Sequence, residues 1–134
     1  MDAASALADL TEICSQVEAA VVIDEQGVVL ASTLPAESGT ERLARAGTEL
    51  LEAARSPVGT EARAVSRLEV ALREGSVFTL TEDGLAIIAR TSPSPSSGLV
   101  LYDLRTCLRV VAESRKKPKP RRRAPKRKQE VSDA

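Results

Sequence analysis

Three apolar segments follow one another in the stretch VSRLEVALREGSVFTLTEDGLAIIAR, residues 65–90. They are SRLEVALR, SVFTLT and LAIIAR, and the dipeptides Glu74-Gly75 and Asp83-Gly84 separate them. Asp-Gly and Glu-Gly can supply the positive φ angles that a two-residue hairpin turn requires, and apolar residues flank both dipeptides. The stretch therefore predicts a meander, in which antiparallel strands are joined by two tight turns.

The apolar pattern differs between the first and the last of these strands. In the first strand Leu68, Val70 and Leu72 share one face, and mostly charged residues alternate with them. In the last strand the segment LAIIA, residues 85–89, is apolar on both faces, as expected for a central strand that is covered from two sides. We therefore expect the sheet to be the middle layer of a sandwich.

Composition and charge divide the chain into two regions. The chain has 134 residues, enough for one domain, but its single Phe and single Tyr predict a thin aliphatic core that a partner subunit would help to complete. The formal net charge of +0 conceals opposite signs. Residues 115–128 carry ten basic residues and no acidic one, whereas the residues before them carry nine arginines against seventeen acids, or about −8.

Missing residue types exclude several kinds of chemistry. Every lysine lies within residues 116–128, the chain has no His, and no G-x-x-x-x-G-K sequence occurs. A phosphate-binding P-loop and a Ser-His or Cys-His nucleophile pair are therefore excluded. Cys14 and Cys107 fit the inward faces of two helices as small core residues, with a redox or metal role as the alternative. We expect no catalysis by the chain's own groups, no metal and no cofactor.

The amino-terminal sequence bears on location. MDAASALADL opens with an acidic residue and has no basic segment of the kind that begins a secretory signal. No apolar run approaches the roughly 18 residues that span a membrane. These features predict a cytoplasmic protein.

A helix and a hairpin are predicted before the meander, and a further helix after it. Residues 3–17 place Ala3, Leu7, Leu10, Cys14 and Val17 on one stripe of an amphipathic helix. The runs AAVVID, residues 19–24, and VVLAS, residues 28–32, predict two strands joined by a turn. After a loop rich in Ser and Pro, residues 98–114 have the apolar spacing of a last helix that Ser96 or Ser97 would cap.

The second predicted helix has small residues in its inner stripe. Ser38, followed three residues later by Glu41, forms a capping box, and the helix extends to about Arg55. The inner stripe comprises Leu43, Ala46, Gly47, Leu50, Leu51 and Ala54. A glycine inside a helix costs about 1 kcal/mol relative to alanine, so Gly47 indicates that another part of the structure approaches closely. Either the sheet of the same chain or a twin helix of a second subunit would explain it.

The resulting order, α-β-β-α-β-β-β-α followed by a tail, is the basis for a family resemblance. With VVIDEQGVVLAS after the first helix, EDGLAIIA closing the meander and GLVLYDLR opening the last helix, it resembles the Roadblock family over residues 3–113. The resemblance implies an α/β (α+β) three-layer sandwich. Its five-stranded antiparallel sheet would carry the second helix on one face and the other two helices on the opposite face.

The resemblance also implies a non-enzymatic homodimer whose partner is a small Ras-like GTPase. In the family, two subunits pair edge to edge through the first strand of the meander and pack their second helices together. The interface so implied comprises Leu43, Ala46, Gly47, Leu50, Leu51, Ala54, Leu68, Val70 and Leu72. Several bacterial members promote hydrolysis by rearranging the GTPase's own residues. For the GTPase contact we predict the outward face of the second helix, namely Arg45, Thr48, Glu52 and Arg55.

A C-terminal tail, residues 114–134, follows the Roadblock-like domain, residues 1–113. Its basic run RKKPKPRRRAPKRK contains three prolines and almost no apolar residue, which predicts a disordered segment. The run would lie on the chain's own acidic body, contact nucleic acid through phosphates, or contact an anionic membrane. The candidate polyanion contacts are Arg115, Lys116, Lys117, Lys119, Arg121, Arg122, Arg123, Lys126, Arg127 and Lys128. The alternative function is therefore a dimeric adaptor that the tail tethers to nucleic acid or another polyanion.

Overall fold

The computed structural model describes residues 2–34, 37–55 and 66–116. The order of helices and strands is the predicted one. The elements are α1 (Ala3–Ile13), β1 (Val17–Ile23), β2 (Val29–Ser32), α2 (Glu37–Arg55), β3 (Arg67–Ala71), β4 (Ser76–Glu82), β5 (Leu85–Thr91) and α3 (Ser97–Lys116).

The five strands form one antiparallel sheet in the order β2-β1-β5-β4-β3. The meander β3-β4-β5 is confirmed, and β1 joins it by pairing with β5. This pairing places β5 between two strands, and residues 85–89 are all buried, as their two-sided apolar composition predicts. β2 and β3 are the edge strands of the described sheet.

The sheet separates two apolar layers, so the predicted three-layer sandwich is confirmed. α1 and α3 pack on one face, against residues that include Phe78 of β4 and Ile87 of β5. α2 packs on the other face, against residues that include Val21 of β1 and Ile88 of β5. Successive side chains of a strand point to opposite faces, which explains why Ile87 and Ile88 belong to different layers.

The turn between β4 and β5 has the predicted form. Asp83 and Gly84 have φ angles of 56° and 77°, and the flanking residues Glu82 and Leu85 are paired. Positive φ at both central residues gives a turn whose twist matches that of the strands. The Asp-Gly dipeptide is therefore the turn itself.

The turn between β3 and β4 differs from the prediction by one position. Leu72 and Gly75 exchange two backbone hydrogen bonds, of 2.8 and 3.4 Å, so the turn residues are Arg73 and Glu74. The predicted Glu74-Gly75 turn is wrong. Gly75 has another role, because a Cβ at this position would overlap the carbonyl oxygen of Thr91 on β5.

α1 is shorter than the sequence predicts. Its N-cap is Asp2, whose carboxylate accepts a 2.9 Å hydrogen bond from the backbone N–H of Ser5; this bond lowers the pKa of Asp2. The helix ends at Ile13, and the predicted end near Val17 is wrong. Val17 instead begins β1 and pairs with Thr91, so strand pairing prevails over the helical spacing of apolar residues.

The boundaries of α2 and α3 also differ from those predicted. α2 begins at Glu37, so Ser38 lies inside its first turn and is not the residue before the helix. α3 continues through Lys116 and includes Arg115, and the predicted domain boundary after residue 113 stays a prediction. Pro118 disfavours helical backbone only in the residue directly before it, which leaves the helix free to reach Lys116.

Candidate partner-binding surfaces

β3 has a free edge in the described part of the sheet. It pairs with β4 and, among the described residues, with no other strand. Leu72 makes its backbone hydrogen bonds to the β4 side. Because backbone groups alternate in direction along an antiparallel strand, those of Glu69 and Ala71 point away from β4. An exposed row of such groups is a template for pairing with another strand.

Leu68 and Val70 of β3 lie on the same sheet face as α2. Leu68 is opposite Thr79, and Thr79 is opposite Ile88, which packs beneath α2. Directly opposite residues of antiparallel strands share a face. α2 packs on β1, β4 and β5, so Leu68 and Val70 stay half-buried. Leu72, just beyond β3, is 56% exposed.

At Gly47, α2 lies directly against the sheet. A Cβ at this position would overlap Cγ1 of Ile88, so the sheet of the same chain explains this glycine, and a twin helix is not needed for it. Leu43 and Leu51 are also buried, at 7% and 6% exposure. Packing within the chain therefore accounts for Leu43, Gly47 and Leu51, and their part in a dimer interface stays a prediction.

One flank of α2 remains half-buried and apolar. It contains Ala46 and Leu50, one helical turn apart, and Ala54 near the helix end. Of the residues predicted for the dimer interface on this helix, these three keep part of their surface exposed, and the interface itself stays a prediction. We use the name apolar surface for Ala46, Leu50, Leu68 and Val70, which belong to α2 and β3 on one face of the sheet.

The opposite flank of α2 carries the predicted GTPase contacts. Residues two positions apart on a helix are about 200° apart, so Thr48 and Glu52 point away from Ala46 and Leu50. Both are exposed, as is Arg45. The side chain of Arg55 lies outside the described residues. The contact itself stays a prediction.

Thr48 and Glu52 line a cleft of about 550 Å³ at one end of the sheet. Facing them are the turn between β1 and β2, residues 24–27, and the turn between β4 and β5. The two turns lie together because β1 pairs with β5, with Ile23 opposite Ala86. A concave site of this volume is of the size that ligands occupy.

The two turns are built to contact each other. One carboxylate oxygen of Asp24 accepts hydrogen bonds from the backbone N–H groups of Gln26 and Val28, both at 2.9 Å, which fixes the first turn. A Cβ at Gly84 would overlap the carboxylate of Glu25. The absence of a side chain at Gly84 therefore lets Glu25 lie directly against the second turn.

The cleft is acidic, and none of the described residues that line it is basic. Glu82 is also approached from the α3 side, where Arg109 Nε donates a 2.8 Å hydrogen bond to one oxygen and Arg105 Nε lies 3.9 Å from the other. We use the name acidic cleft for this site and its five carboxylates, which are Asp24, Glu25, Glu52, Glu82 and Asp83.

Sequence reasoning missed the acidic cleft. One signal was available, because both turns are acidic, with DEQG in one and EDG in the other. The decisive fact is the pairing of β1 with β5, which joins strands that are distant along the chain. No local pattern specifies that pairing.

The cysteines occupy core positions. Cys14 and Cys107 are buried and form no disulfide, and burial raises the pKa of both thiols, that of Cys107 to about 11. Thiols with raised pKa values are weak nucleophiles at neutral pH. Within the described residues no group of three acidic, Cys or His side chains could hold a metal ion. None of the described helices is long and apolar enough to cross a membrane.

Arg115, the first predicted polyanion contact, is exposed in the last turn of α3. It borders a depression that Asp24, Glu25 and Asp83 also line. The side chain of Lys116 and all of residues 117–128 lie outside the described residues. Binding of nucleic acid or membrane by this segment, and the alternative function built on it, stay predictions of the sequence.

Solved structures of known proteins share this architecture. A Roadblock/LC7 domain from Streptomyces avermitilis matches with a TM-score of 0.76 and 15% sequence identity, over 87% of this chain and 100% of that one. The chain has the Roadblock/LC7 fold. The gliding protein MglB from Thermus thermophilus also matches this chain, with a TM-score of 0.67 and 14% identity, over 83% of this chain and 86% of that one. LokiProfilin2, in complex with rabbit actin, has a related arrangement with a TM-score of 0.57 and 14% identity, over 81% and 94% of the two chains. Neither a protein-family model nor a curated protein matches the amino-acid sequence.

Proposed function

We propose that this chain is a dimeric, non-enzymatic adaptor that regulates or positions a small Ras-like GTPase in the cytoplasm. The Roadblock/LC7 fold supports the proposal, because the resemblance to the Roadblock family implies a non-enzymatic partner of a small Ras-like GTPase. Fold alone does not determine function. The proposal therefore depends on the surfaces that this chain presents.

The observation that carries the proposal is the apolar surface beside the edge of β3 that no other described strand pairs with. Leu50, Leu68 and Val70 are half-buried on one face of the sheet. Full burial of such a side chain is worth about 1.5–3 kcal/mol, so covering their exposed parts would stabilise a complex. The outward backbone groups of β3 need hydrogen-bond partners as well, and another strand would supply them.

A second copy of the same chain can both cover the apolar surface and supply hydrogen-bond partners to the outward backbone groups of β3. When β3 pairs antiparallel with its copy about a twofold axis perpendicular to the sheet, each strand offers the other the same outward groups. Such an axis leaves both α2 helices on the same face of the joined sheet. The flanks with Ala46 and Leu50 then become candidates for burial between the subunits.

The outward side of α2 is the surface we assign to the GTPase. Arg45 and Glu52 are exposed there, and in a dimer two copies of this surface would share one sheet face. The chain has no P-loop lysine and no histidine, so it lacks the lysine that grips a nucleotide phosphate in P-loop enzymes and a histidine base. Its effect on a GTPase would therefore act through binding.

Binding to nucleotide-loaded GTPases tests the proposal. Ras-like GTPases from the same organism, loaded with GDP or a non-hydrolysable GTP analogue, are titrated with the full chain in a calorimeter. We expect one of them to bind with a preference for one nucleotide state. Arg45→Ala or Glu52→Ala should weaken this binding by about tenfold, as truncation of an interface anchor typically does.

The control is Glu12→Ala, which removes an exposed carboxylate of α1 on the other face of the sheet. It should leave the affinity unchanged. If no GTPase binds in either nucleotide state, the proposed partner is wrong. If the chain alone hydrolyses GTP, the non-enzymatic assignment is wrong.

A further inference from the structure

We propose that the acidic cleft is the docking site of the chain's own basic segment, residues 117–128. The inference does not depend on the proposed GTPase function. When no other partner is present, the segment binds the acidic cleft. A polyanion that contacts the segment would have to compete with the cleft for it.

The chemistry of the cleft favours organic cations. Its described residues do not form a group that could hold a metal ion, although five carboxylates line it. Among the described residues, Glu25 and Glu52 have no ion-pair partner. Guanidinium and ammonium groups form charge-assisted hydrogen bonds with carboxylates, so a basic peptide fits the site.

The path of the chain leads the basic segment to this site. Arg115, two residues before the segment, lines a depression together with Asp24, Glu25 and Asp83. The same three acidic residues also line the cleft, so the depression adjoins the cleft across the two turns. The last described residue of α3 is Lys116, so the described chain ends directly after Arg115, beside this depression.

One side of the cleft already binds a guanidinium group. Arg109 of α3 donates a hydrogen bond of 2.8 Å to Glu82, which is part of the cleft wall. This contact reaches Glu82 from the α3 side. The basic residues that follow Lys116 would form ion pairs with the carboxylates on the α2 side, above all Glu52.

The length and composition of the segment suit the cleft. Residues 117–128 contain eight basic residues and three prolines, which favour an extended chain of roughly 3 Å per residue. The segment can therefore span roughly 35 Å. A seven-residue strand such as β4 is about 23 Å long, so the reach of the segment exceeds the length of a strand of this sheet.

Carbodiimide cross-linking of the full chain tests the docking site directly. The reagent joins a lysine amine to a carboxylate that it contacts, and every lysine lies within residues 116–128. Apart from the amino terminus, each cross-link therefore reports the position of the basic segment. We expect mass spectrometry to find these links mainly at the five carboxylates of the acidic cleft at 50 mM NaCl, and to lose them at 1 M NaCl.

A matched pair of variants sharpens the test. The double variant Glu25→Gln and Glu52→Gln should lower the cross-link yield at Asp24, Glu82 and Asp83 by about threefold or more, because it removes two favourable charge contacts. The control Glu12→Gln and Glu74→Gln removes the same charge at the opposite end of the sheet, where Gly75 meets Thr91. It should leave the yield unchanged.

The positions of the cross-links decide between docking at the cleft and contact with the acidic surface in general. Mixing chains of two isotopic compositions shows whether a link joins one chain or two, and links to the cleft carboxylates in either case support the docking site. Links spread evenly over the acidic residues, or an equal loss in both double variants, would overturn it. Neither result depends on whether a GTPase binds.

Discussion

The two flanks of α2 present opposite chemistry to their surroundings. On one flank Ala46 and Leu50 are half-buried and apolar, on the sheet face that also carries the free edge of β3. On the other flank Thr48 and Glu52 border the acidic cleft. Apolar burial is insensitive to salt, whereas contacts between exposed charges are screened within about 10 Å at 0.1 M salt. One helix can therefore support a lasting subunit contact and a reversible ionic contact, and each can be perturbed separately.

The largest effect is expected when the edge of β3 is blocked. Glu69→Pro removes a backbone N–H that points away from β4, and proline is tolerated on the outward side of an edge strand. The subunit contact would lose a hydrogen bond and would meet a proline ring. We expect the dimer to weaken by more than about 2 kcal/mol, or more than about thirtyfold in Kd, in sedimentation equilibrium.

The control for this change is Glu69→Ala. It also loses the 2.7 Å hydrogen bond that Ser97 donates to Glu69, but it keeps the backbone N–H. The alanine variant should dimerise like the original chain. If both variants behave alike, or if the original chain is a monomer at tens of micromolar, edge pairing through β3 is wrong.

A smaller effect is expected where α2 contacts the sheet between its two flanks. Gly47→Ala would gain about 1 kcal/mol of helix propensity, but the new Cβ would overlap Ile88. Overpacking of a core costs typically 1–3 kcal/mol, and Ile88 is branched and fully buried, so it cannot easily move. We expect a net loss of about 1–2 kcal/mol in the free energy of unfolding, measured by urea denaturation.

A double-mutant cycle identifies the cause of that loss. Ile88→Ala removes the overlapping atoms and leaves a cavity of its own. If the contact with Ile88 is responsible, the combined variant should be more stable than the sum of the two single losses predicts. Simple additivity would mean that Gly47 matters for another reason.

The sequence predicted those parts of the fold that local patterns determine. Apolar alternation and the Asp83-Gly84 turn were enough for the meander, and two-sided apolar composition was enough to place β5 between two strands. The sequence predicted only in part which residues of the inner stripe of α2 are buried. Helical spacing groups Leu43 with Leu50, but only the packed structure shows that the first is buried within the chain and the second is half-exposed.

The remaining errors have long-range causes. Val17 has helical spacing but pairs with Thr91, and Gly75 looks like a turn residue but lies against the same Thr91. The acidic cleft depends on the pairing of β1 with β5 as well. Each of these features requires a contact between segments far apart in the chain, which a local pattern cannot specify.

The smallest effect is expected when salt is used to compare the two flanks of α2. Raising NaCl from 0.1 M to 1 M shortens the screening length from about 10 Å to about 3 Å. If the subunits meet through the apolar surface and the basic segment occupies the cleft of its own chain, the dimer Kd should change by less than about threefold, while the cross-links to the cleft disappear.

A stronger salt effect on the dimer would indicate that ionic contacts at the acidic cleft also join the two subunits. If the basic segment of one chain docks in the acidic cleft of the other, ionic contacts contribute to the dimer, and salt should weaken it together with the cross-links. The variant Glu25→Gln and Glu52→Gln separates the cases, because it should weaken the dimer at 0.1 M salt only when docking occurs between chains. Sedimentation equilibrium of this variant beside Glu12→Gln and Glu74→Gln therefore decides whether the acidic cleft acts within one subunit or joins two.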